Sequence, residues 1–345
     1  MEMRKKFDEI FEDCTKLGTK IKTDEYHSNG KHPIIDQGQE MVAGFTDLED
    51  GLFDAVPAIV FGDHTRIIKY VDYPFFLGAD GVKVLRSKVP NANYRYLYYA
   101  LKNAKIPNTG YNRHYKWLKE LEIEYPPISQ QIKTVKVLDE VESIIHNRQN
   151  QLQKLDELVK ARFVEMFGDC KSMVSMNELC SIITDGTHQP PRFQESGIPF
   201  IFVSNLVGNV VTYNAEKFIS EDTYAELYKR TPIEIGDLLL STVGSYGHPA
   251  VVTEDRKFLF QRHIAYLKPR HNMVNSFYLH SALLAPDGQR QIEEKVKGIA
   301  QKTLNLSEIK KIAVPLPTIE EQNQFEKFVN QVDKSKLLQF FCFPI

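Results

Sequence analysis

The longest uninterrupted pattern in the chain is helical and covers residues 128–167. This stretch contains neither proline nor glycine, the residues that most often end a helix. Its apolar residues fall on a heptad seam at Leu138, Val141, Ile145, Leu152, Leu155, Val159 and Met166. Arg148 and Arg162 fall in the same seam. The spacing predicts a helix of about 40 residues, roughly 60 Å long, and a seam this narrow needs a partner helix in a coiled coil. The alternative, a helix inside a large α-helical domain, fits this length and its evenly balanced charge less well.

A second pattern is an internal repeat. Residues 118–131 match residues 309–322 position by position, so the two copies lie 191 residues apart. Each copy alternates apolar and polar residues, reaches a proline, and then begins a helical pattern that contains Gln131 or Gln322. Proline fixes φ and lacks an N–H donor, so it ends a strand and suits the first turn of a helix. The repeat predicts a strand and then a helix in each copy, with a structural role for both glutamines.

The helix of the second copy is predicted to be short. It runs from residue 320 to about residue 338, which is half the length of the first helix. Residues 337–345 then break the charged pattern with an apolar tail. A truncation, a change of reading frame and a hydrophobic plug would each explain such a tail. The partner helix is therefore expected to cover only half of the first one.

A weaker match lies inside the two halves of the chain. Residues 58–66 and 237–246 each place an apolar strand before a polar loop that contains glycine, while the remaining sequence differs. Two similar scaffolds with different loops suit a protein that recognises two different half-sites, although a plain tandem duplication gives the same pattern. The predicted boundaries are a first domain at 1–126, a spacer helix at 127–168, a second domain at 169–317, and the second helix with its tail at 318–345.

The composition permits two folded domains but does not by itself suggest a partner. The chain has 345 residues, of which 42% are apolar, and its net charge is −2. Residues 1–126 hold 18 Lys and Arg against 19 Asp and Glu, and residues 168–316 hold 16 against 16. Many nucleic-acid binders are strongly basic because they neutralise phosphates. Any basic surface must therefore be local, or a partner must complete the contact with nucleic acid.

The cellular location is predicted from what the sequence lacks. It contains no segment that resembles a signal peptide and no run of about 18 apolar residues, so no membrane segment is expected. The four cysteines, at positions 14, 170, 180 and 342, have no paired short spacing. The absence of paired cysteines predicts a reduced, cytoplasmic protein without a zinc site or a disulfide framework.

Catalytic motifs are not found either. An adenine methyltransferase would need an Asn-Pro-Pro-aromatic motif, and the sequence contains none. A phosphate-binding Gly-rich loop does not occur either. Asp287, Glu293 and Glu294 imitate a metal-binding carboxylate set, but their spacing is too short and fits a solvated helix face. Histidines such as His64, His188 and His263 have no companions at metal-ligand spacing. The chain is therefore predicted to be non-enzymatic, with no metal or cofactor of its own.

Several short segments, taken in order, resemble the DNA specificity subunits of Type I restriction-modification systems. In the second half these are residues 183–193, 197–201, 236–244, 261–268 and 304–322; in the first half they are 19–22, 33–38 and 61–66. Their order and the repeated proline and glutamine at a helix start make the combination specific, and it covers nearly the whole chain. The resemblance implies an α+β fold, with two mixed α/β target recognition domains joined by long antiparallel coiled-coil helices, the second truncated.

The resemblance also implies a function and partners. Each domain would recognise one half of a bipartite double-stranded DNA target, and the helices would set the gap and dock the modification (methyltransferase) subunits, two of them. Those partners would bind S-adenosylmethionine, and a restriction or translocase subunit would use ATP and Mg²⁺. The rival hypothesis, favoured by the neutral charge, is a non-catalytic scaffold that carries two binding domains and does not bind DNA.

Candidate DNA contacts are polar residues on loops that follow strands. Arg, Lys, Asn and Gln recognise base edges, and hydroxyls and cations bind phosphates. In the first domain the candidates are Gln37, Gln39, His64, Thr65, Arg66, Asn112 and Arg113. In the second domain they are Thr187, His188, Gln189, Arg192, Asn205, Ser245, Tyr246, Gln261, Arg262 and Lys302.

Overall fold

The structure is a computed structural model that describes residues 4–78, 81–110, 112–298 and 301–341. The chain forms two compact units, unit 1 at residues 1–147 and unit 2 at residues 148–345. This division falls inside the long helix, whereas the sequence places the domain boundaries at the two ends of that helix. Those boundaries remain a prediction. Residues 342–345 of the apolar tail lie outside the described residues.

Unit 1 is built from short strands with helices near its end. Its strands are β1 (Arg4–Lys6), β2 (Phe11–Asp13), β3 (His32–Ile35), β4 (Gly44–Thr46), β5 (Ala58–Gly62), β6 (Ile68–Val71), β7 (Phe76–Leu77), β8 (Val82–Ser87) and β9 (Glu122–Glu124). Its helices are α1 (Phe7–Ile10), α2 (Tyr94–Lys102), α3 (Tyr115–Lys119) and the first part of α4 (Ile128–Phe167). Short 3₁₀ turns lie at Thr15–Leu17 and Thr23–Glu25.

The core of unit 1 lies on both faces of strand β5. Strands β2, β8, β5 and β6 form an antiparallel sheet in that order, and β4, β3 and β7 form a smaller mixed sheet. Ile59 and Phe61 pack in one cluster with residues of α2, while Ala58 and Val60 pack in another with residues of β3 and β7. Covering both faces explains why this strand is apolar at consecutive positions instead of alternating.

Unit 2 has a closely similar set of elements. Its strands are β10 (Met173–Ser175), β11 (Cys180–Asp185), β12 (Ile198–Ile201), β13 (Phe218–Ile219), β14 (Leu238–Ser241), β15 (Pro249–Val251), β16 (Leu259–Phe260), β17 (Ile264–Pro269) and β18 (Ala313–Pro315). Besides the end of α4, its helices are α5 (Met176–Leu179), α6 (Glu221–Leu227), α7 (Ser276–Leu284), α8 (Pro286–Lys295), α9 (Leu306–Ile309) and α10 (Ile319–Phe341). A 3₁₀ turn lies at Val203–Leu206.

The two units share one topology. The sheet β11-β17-β14-β15 of unit 2 matches β2-β8-β5-β6 of unit 1, and β13-β12-β16 matches β4-β3-β7. In each unit the first strand also pairs with the last, β1 with β9 and β10 with β18. The weaker match between residues 58–66 and 237–246 is confirmed, since β5 and β14 occupy the same position in their sheets. The α+β fold predicted from the sequence is confirmed as well.

The repeat of 191 residues predicted from the sequence is also confirmed. It relates strand β9 to β18 and the first residue of α4 to the first residue of α10. Gln131 Nε2 donates to Pro126 O at 2.8 Å, and Gln322 Nε2 donates to Pro317 O at 3.0 Å. Both glutamines are buried. They therefore tie the start of a helix to the proline segment before it, which is a structural role.

A tyrosine of each unit bonds to a carbonyl of this repeat, although the two tyrosines are 182 and not 191 residues apart. The hydroxyl of Tyr96, on α2, donates to Glu124 O at 2.9 Å, and that of Tyr278, on α7, donates to Pro315 O at 2.7 Å. Burial raises the pKa of both phenols. Each hydroxyl stays protonated and satisfies the carbonyl at the end of the unit's last strand.

Within unit 2, the end of α4 packs antiparallel to α10. Phe325 of α10 lies 5.5 Å from Phe163 and 5.6 Å from Phe167, measured between ring centroids. Further along α10, Lys336 pairs with Asp156 at 2.8 Å. Contacts that ascend one helix as they descend the other define antiparallel packing, as predicted.

The predicted seam is wrong in its detail. The fully buried positions of α4 in this pair are Phe163 and Phe167, which the heptad register omitted, while Val159 and Met166 are partly buried. Val141 and Ile145 of the predicted seam are 45% and 42% exposed. The burial of Phe163 and Phe167 has a clear reason: α4 packs onto α7 as well as α10 in unit 2, so its buried face there is set by two neighbours.

Candidate nucleic-acid interfaces

In unit 1, the structure brings three of the predicted residues together at the β5–β6 loop. Thr65 Oγ1 donates to Gln37 O at 2.7 Å, and Gln37 Oε1 accepts the backbone N–H of His64 at 3.2 Å. A Cβ at Gly62 would collide with Thr65 Oγ1 and with Gln37, so the close approach of the two loops requires glycine there. The turn between β3 and β4 is thereby fixed against the β5–β6 loop.

Arg66 ends this cluster in a left-handed conformation, with φ at 64°. Its guanidinium donates to Ile106 O at 3.4 Å, a contact with the segment that follows α2. Gln39 lies exposed in the β3–β4 turn, two residues beyond Gln37. Arg66 therefore links the loop cluster to the segment that carries the last two candidates of unit 1.

Asn112 and Arg113 are held beside the cluster by the buried Asp63. The backbone N–H of His114 donates to Asp63 O at 2.8 Å, and that of Tyr115 donates to the Asp63 carboxylate at 2.7 Å. The Asn112 side chain donates to Thr109 O within its own turn. Both candidates are exposed. Asp63, which sequence analysis did not select, thus positions their loop next to His64.

In unit 2, Thr187, Gln261 and Arg262 form one site at the ends of strands. The N–H of Thr187 donates to Phe260 O at 3.0 Å, and the N–H of Arg262 donates to Thr187 O at 3.1 Å. The exposed Arg262 side chain lies at the edge of a cavity of about 270 Å³. Other residues that line this cavity are Asp185, Thr242, His263, Gln301 and Asn305. Such a pocket of donors and acceptors suits contact with the polar edge of a base.

Asp185 at this cavity is already paired with a histidine and an arginine. Its carboxylate lies 2.8 Å from His188 Nε2 and 2.7 Å from Arg230. Arg230 was not predicted, because it follows α6 and lies 45 positions from Asp185 in the sequence. Both of these side chains are half exposed. The carboxylate therefore orients His188 and Arg230 and offsets part of the charge of Arg230.

Tyr246 and Lys302 meet at a second carboxylate, Glu293. The Lys302 ammonium lies 3.1 Å from Glu293 Oε1 and 3.3 Å from the Tyr246 hydroxyl, and that hydroxyl also donates to Glu293. Hydrogen bonds from Tyr246 and Lys302 lower the pKa of Glu293, and the bond to Glu293 raises the pKa of Lys302. The side chains of Lys302 and Glu293 are 55% and 61% exposed, so Lys302 is accessible to a phosphate.

The other candidates of unit 2 divide into exposed and buried residues. Ser245 contacts His248 at 3.1 Å, and His248 in turn contacts Asn209 at 3.0 Å. Gln189 and Arg192 lie exposed on the segment between β11 and β12. His248 is a further polar residue at this surface that sequence analysis missed, although it directly follows the glycine-containing loop.

Asn205 requires a correction, because its side chain is 8% exposed and fully used within its own loop. Its Oδ1 accepts the N–H of Phe202 at 2.9 Å, and its Nδ2 donates to Thr212 O at 3.0 Å and to Asn214 O at 3.2 Å. The side chain has no polar group left for a base edge. We therefore assign Asn205 to holding the loop and remove it from the candidate contacts.

Two features are absent from the residues that the structure describes. Among them, no three or more His, Cys, Asp or Glu side chains gather in a way that would hold a metal ion. None of the described helices combines the length and the apolarity needed to span a bilayer.

Comparison with known proteins gives consistent matches. The chain is 33% identical over 147 residues to the Type I restriction enzyme EcoBI specificity subunit of Escherichia coli, a match that covers 43% of this chain and 31% of that protein. It is 23% identical over 164 residues to the putative type I restriction enzyme MjaX specificity subunit of Methanocaldococcus jannaschii, covering 46% of this chain and 38% of that protein. These alignments therefore span well under half of either relative.

A structural comparison concerns the fold alone. The crystal structure of a Type I restriction-modification system S subunit from M. genitalium superposes with a TM-score of 0.53 at 17% sequence identity. The superposition covers 97% of this chain and 90% of the other. The two proteins share a fold.

A family model covers most of the sequence. Residues 3–156 and residues 172–339 each match the model described as the Type I restriction modification DNA specificity domain. The first match includes the first part of α4, and the second includes most of α10. This chain therefore belongs to the family of Type I restriction modification DNA specificity domains.

Proposed function

We propose that this chain is the DNA specificity subunit of a Type I restriction-modification complex and works in the cytoplasm without catalysis of its own. Each unit recognises one half of a bipartite duplex target. Helices α4 and α10 set the gap between the half-sites and dock two modification subunits, which supply S-adenosylmethionine chemistry. A restriction or translocase subunit that uses ATP and Mg²⁺ joins the same complex.

The observation that carries this proposal is one scaffold with two different loop surfaces. The β5–β6 loop of unit 1 carries His64, Thr65 and Arg66, whereas the equivalent β14–β15 loop of unit 2 carries Ser245 and Tyr246. Loops on a rigid scaffold are where binding residues collect. Different donors and acceptors on equivalent loops suit two different base sequences.

The charge of the chain fits a partner-assisted contact with DNA. Asp185 and Glu293 each offset cations at the candidate surface of unit 2. A surface so balanced gives little counterion release by itself, and hence weak binding without a partner. We infer that the modification subunits complete the contact with the DNA duplex.

The test is methylome sequencing of a host that expresses this chain with its modification subunits. We expect a gapped, two-part methylated motif that disappears when this chain is omitted. Salt-dependent binding of the assembled complex to a duplex with that motif should accompany it. A complex that methylates without any gapped motif, or that shows no salt-dependent DNA affinity, would instead support a scaffold that does not bind DNA.

The candidate residues of unit 2 can be tested as base and phosphate contacts. Arg262→Ala is expected to cost about 1–3 kcal/mol of binding and to relax one position of one half-site, because an arginine on a base edge discriminates between bases. Lys302→Ala should weaken binding to all sequences alike and reduce the salt slope by about 1, as a phosphate contact does. Fluorescence anisotropy with matched and mismatched duplexes measures both.

Arg290→Ala is the matched control for this pair. Arg290 is an exposed arginine of the same unit, on helix α8, and it pairs with Asp287 and Glu294. Its loss should leave affinity and motif unchanged. If Arg262→Ala behaves like Arg290→Ala, the assignment of Arg262 to base recognition is wrong.

A further inference from the structure

Lys69 is a buried lysine of unit 1 whose side chain reaches the turn between β3 and β4. It lies on strand β6, where it faces Val60 of β5. Only 4% of its side chain is exposed. Lysine is almost never buried to this degree unless its charge is paired. The partners of Lys69 therefore indicate what this cation does.

Both partners of the Lys69 ammonium belong to the turn between β3 and β4. The ammonium donates to Glu40 O at 2.5 Å, and it lies 3.5 Å from the Asp36 carboxylate. That carboxylate also accepts the backbone N–H of Gly38 at 2.7 Å. One buried cation thus joins the residues on both sides of Gln39 and closes the turn around it.

The two glutamines of this turn have different surroundings. Gln37 is packed inside, because its Oε1 accepts the backbone N–H of His64 and a Cβ on Gly81 would lie 2.7 Å from its amide. Gln39 is exposed at the tip of the turn. Gln39 is therefore the glutamine of this turn that is accessible to a ligand.

Unit 2 has an apolar residue at the position equivalent to Lys69. Ala250 of β15 faces Leu239 of β14, just as Lys69 faces Val60. Ala250 is fully buried. The loop after β12, which corresponds to the turn after β3, is held by Asn205 through bonds within that loop. The shared fold therefore does not require a cation at this position, and the role of Lys69 concerns the turn of unit 1.

A gain in stability does not explain the charge of Lys69. Burial lowers the pKa of Lys69, although the nearby Asp36 and Glu40 oppose this effect, so its surroundings disfavour the charged form. A buried ion pair often stabilises a protein no more than an apolar side chain of similar volume. The ammonium does supply a directed, charge-assisted bond to Glu40 O, which fixes the path of the turn.

We propose that Lys69 is a positioning residue for DNA recognition by unit 1, and that it fixes the β3–β4 turn so that Gln39 contacts the major-groove edge of an adenine. A glutamine amide accepts from adenine N6 and donates to N7, which is the usual pairing of this side chain with a base edge. Lys69 itself does not touch the DNA, because it is buried. The proposal rests on the specificity function proposed above and adds one recognised base and the residue that positions its contact.

The test uses the assembled complex, with its modification subunits, and duplexes that vary each position of the half-site assigned to unit 1. By fluorescence anisotropy, Gln39→Ala should reduce the preference for adenine at one position about tenfold. Lys69→Met removes the charge at similar length and should reduce the preference at the same position. In the Gln39→Ala background, Lys69→Met should add little, because the contact that Lys69 positions is already lost.

Three further measurements separate positioning from other roles of Lys69. The salt slope of binding should not change in Lys69→Met, whereas loss of a phosphate contact would reduce it by about 1. The unfolding midpoint from Trp117 fluorescence should stay equal or rise, since Asp36 is 29% exposed and keeps its bond to Gly38. Hydrogen exchange of residues 36–43 should become faster in the DNA-free chain, because the turn is no longer held.

Lys31→Met is the matched control for the loss of charge. Lys31 directly precedes β3, at the end of the strand opposite to the turn, and it pairs with Glu49 at 2.6 Å. This variant removes the same charge from the same unit. It should leave base preference at every position unchanged, and it should not alter hydrogen exchange of the turn.

Several outcomes would overturn the proposal. These are an effect of Lys69→Met at a different position from Gln39→Ala, an effect equal to that of Lys31→Met, a reduced salt slope, or a lower unfolding midpoint. A base other than adenine at the position that Gln39 controls would also overturn it. If the unaltered chain gives no gapped motif, the specificity function itself is wrong, whereas unchanged hydrogen exchange in Lys69→Met contradicts the positioning role without any DNA.

Discussion

Exchange of residues 1–147 for the corresponding unit of another specificity subunit should change one half of the methylated motif completely and leave the other half intact. The physical reason is that each hydrophobic cluster of the described residues is confined to one unit, so each unit can keep its own loops in place. Methylome sequencing of the host gives the result directly. Loss of both half-sites, or a motif that does not change, would contradict the assignment of one half-site to each unit.

The site of the exchange matters, because α2 bonds to residues of α4 that lie beyond residue 126. Arg95 of α2 donates to Asp139 of α4 at 3.1 Å, and the Tyr99 hydroxyl donates to Asp139 at 2.6 Å and to Glu142 at 3.0 Å. Although burial opposes it, hydrogen bonding by Tyr99 and Arg95 lowers the pKa of Asp139. An exchange at 126 would separate these partners and leave charged groups unpaired, which is costly.

A matched pair of chimeras therefore controls the experiment. Exchange of residues 1–126 should give a less stable protein than exchange of residues 1–147, unless the donor also has arginine and tyrosine at the positions of Arg95 and Tyr99. Both chimeras should show the same new half-site if they fold. Equal stability of the two would mean that the Arg95 cluster contributes little.

Phe325→Ala is expected to destabilise unit 2 by about 3–5 kcal/mol, the usual cost of removing a buried phenylalanine. Phe325 is fully buried and contacts both aromatic residues of α4. Its removal leaves a cavity between the two helices, so α10 should separate from α4 at a lower denaturant concentration. Chemical unfolding followed by far-UV circular dichroism measures the shift.

Trp117 provides an internal control for this variant. It is the only tryptophan of the chain and lies on α3 in unit 1. Its fluorescence transition should stay in place when the helical signal of unit 2 moves. Phe328→Ala, which changes a partly buried neighbour on α10, should shift that signal less. An equal shift of the Trp117 transition would show that the two units unfold together.

The candidate contacts show where local sequence was sufficient and where it was not. Gln37, His64 and Thr65 were selected as polar residues on loops after strands, and their loops do meet. Asn205 had the same local signature, but its side chain is used up inside its loop. Residue type and loop position cannot distinguish these cases, because the partner of each polar atom is set by the fold of the surrounding chain.

The sequence by itself determined the parts that depend on short-range pattern and on the repeat. The 40-residue helix α4 and the strand and proline before each long helix follow from residues close together in the chain, and the equivalence of the two halves follows from the recurrence of such a local pattern. Only the tertiary structure decided which face of α4 is buried, that Arg230 pairs with Asp185, and that Tyr246 bonds to Glu293. Those features depend on contacts between residues far apart in sequence, so no local periodicity encodes them.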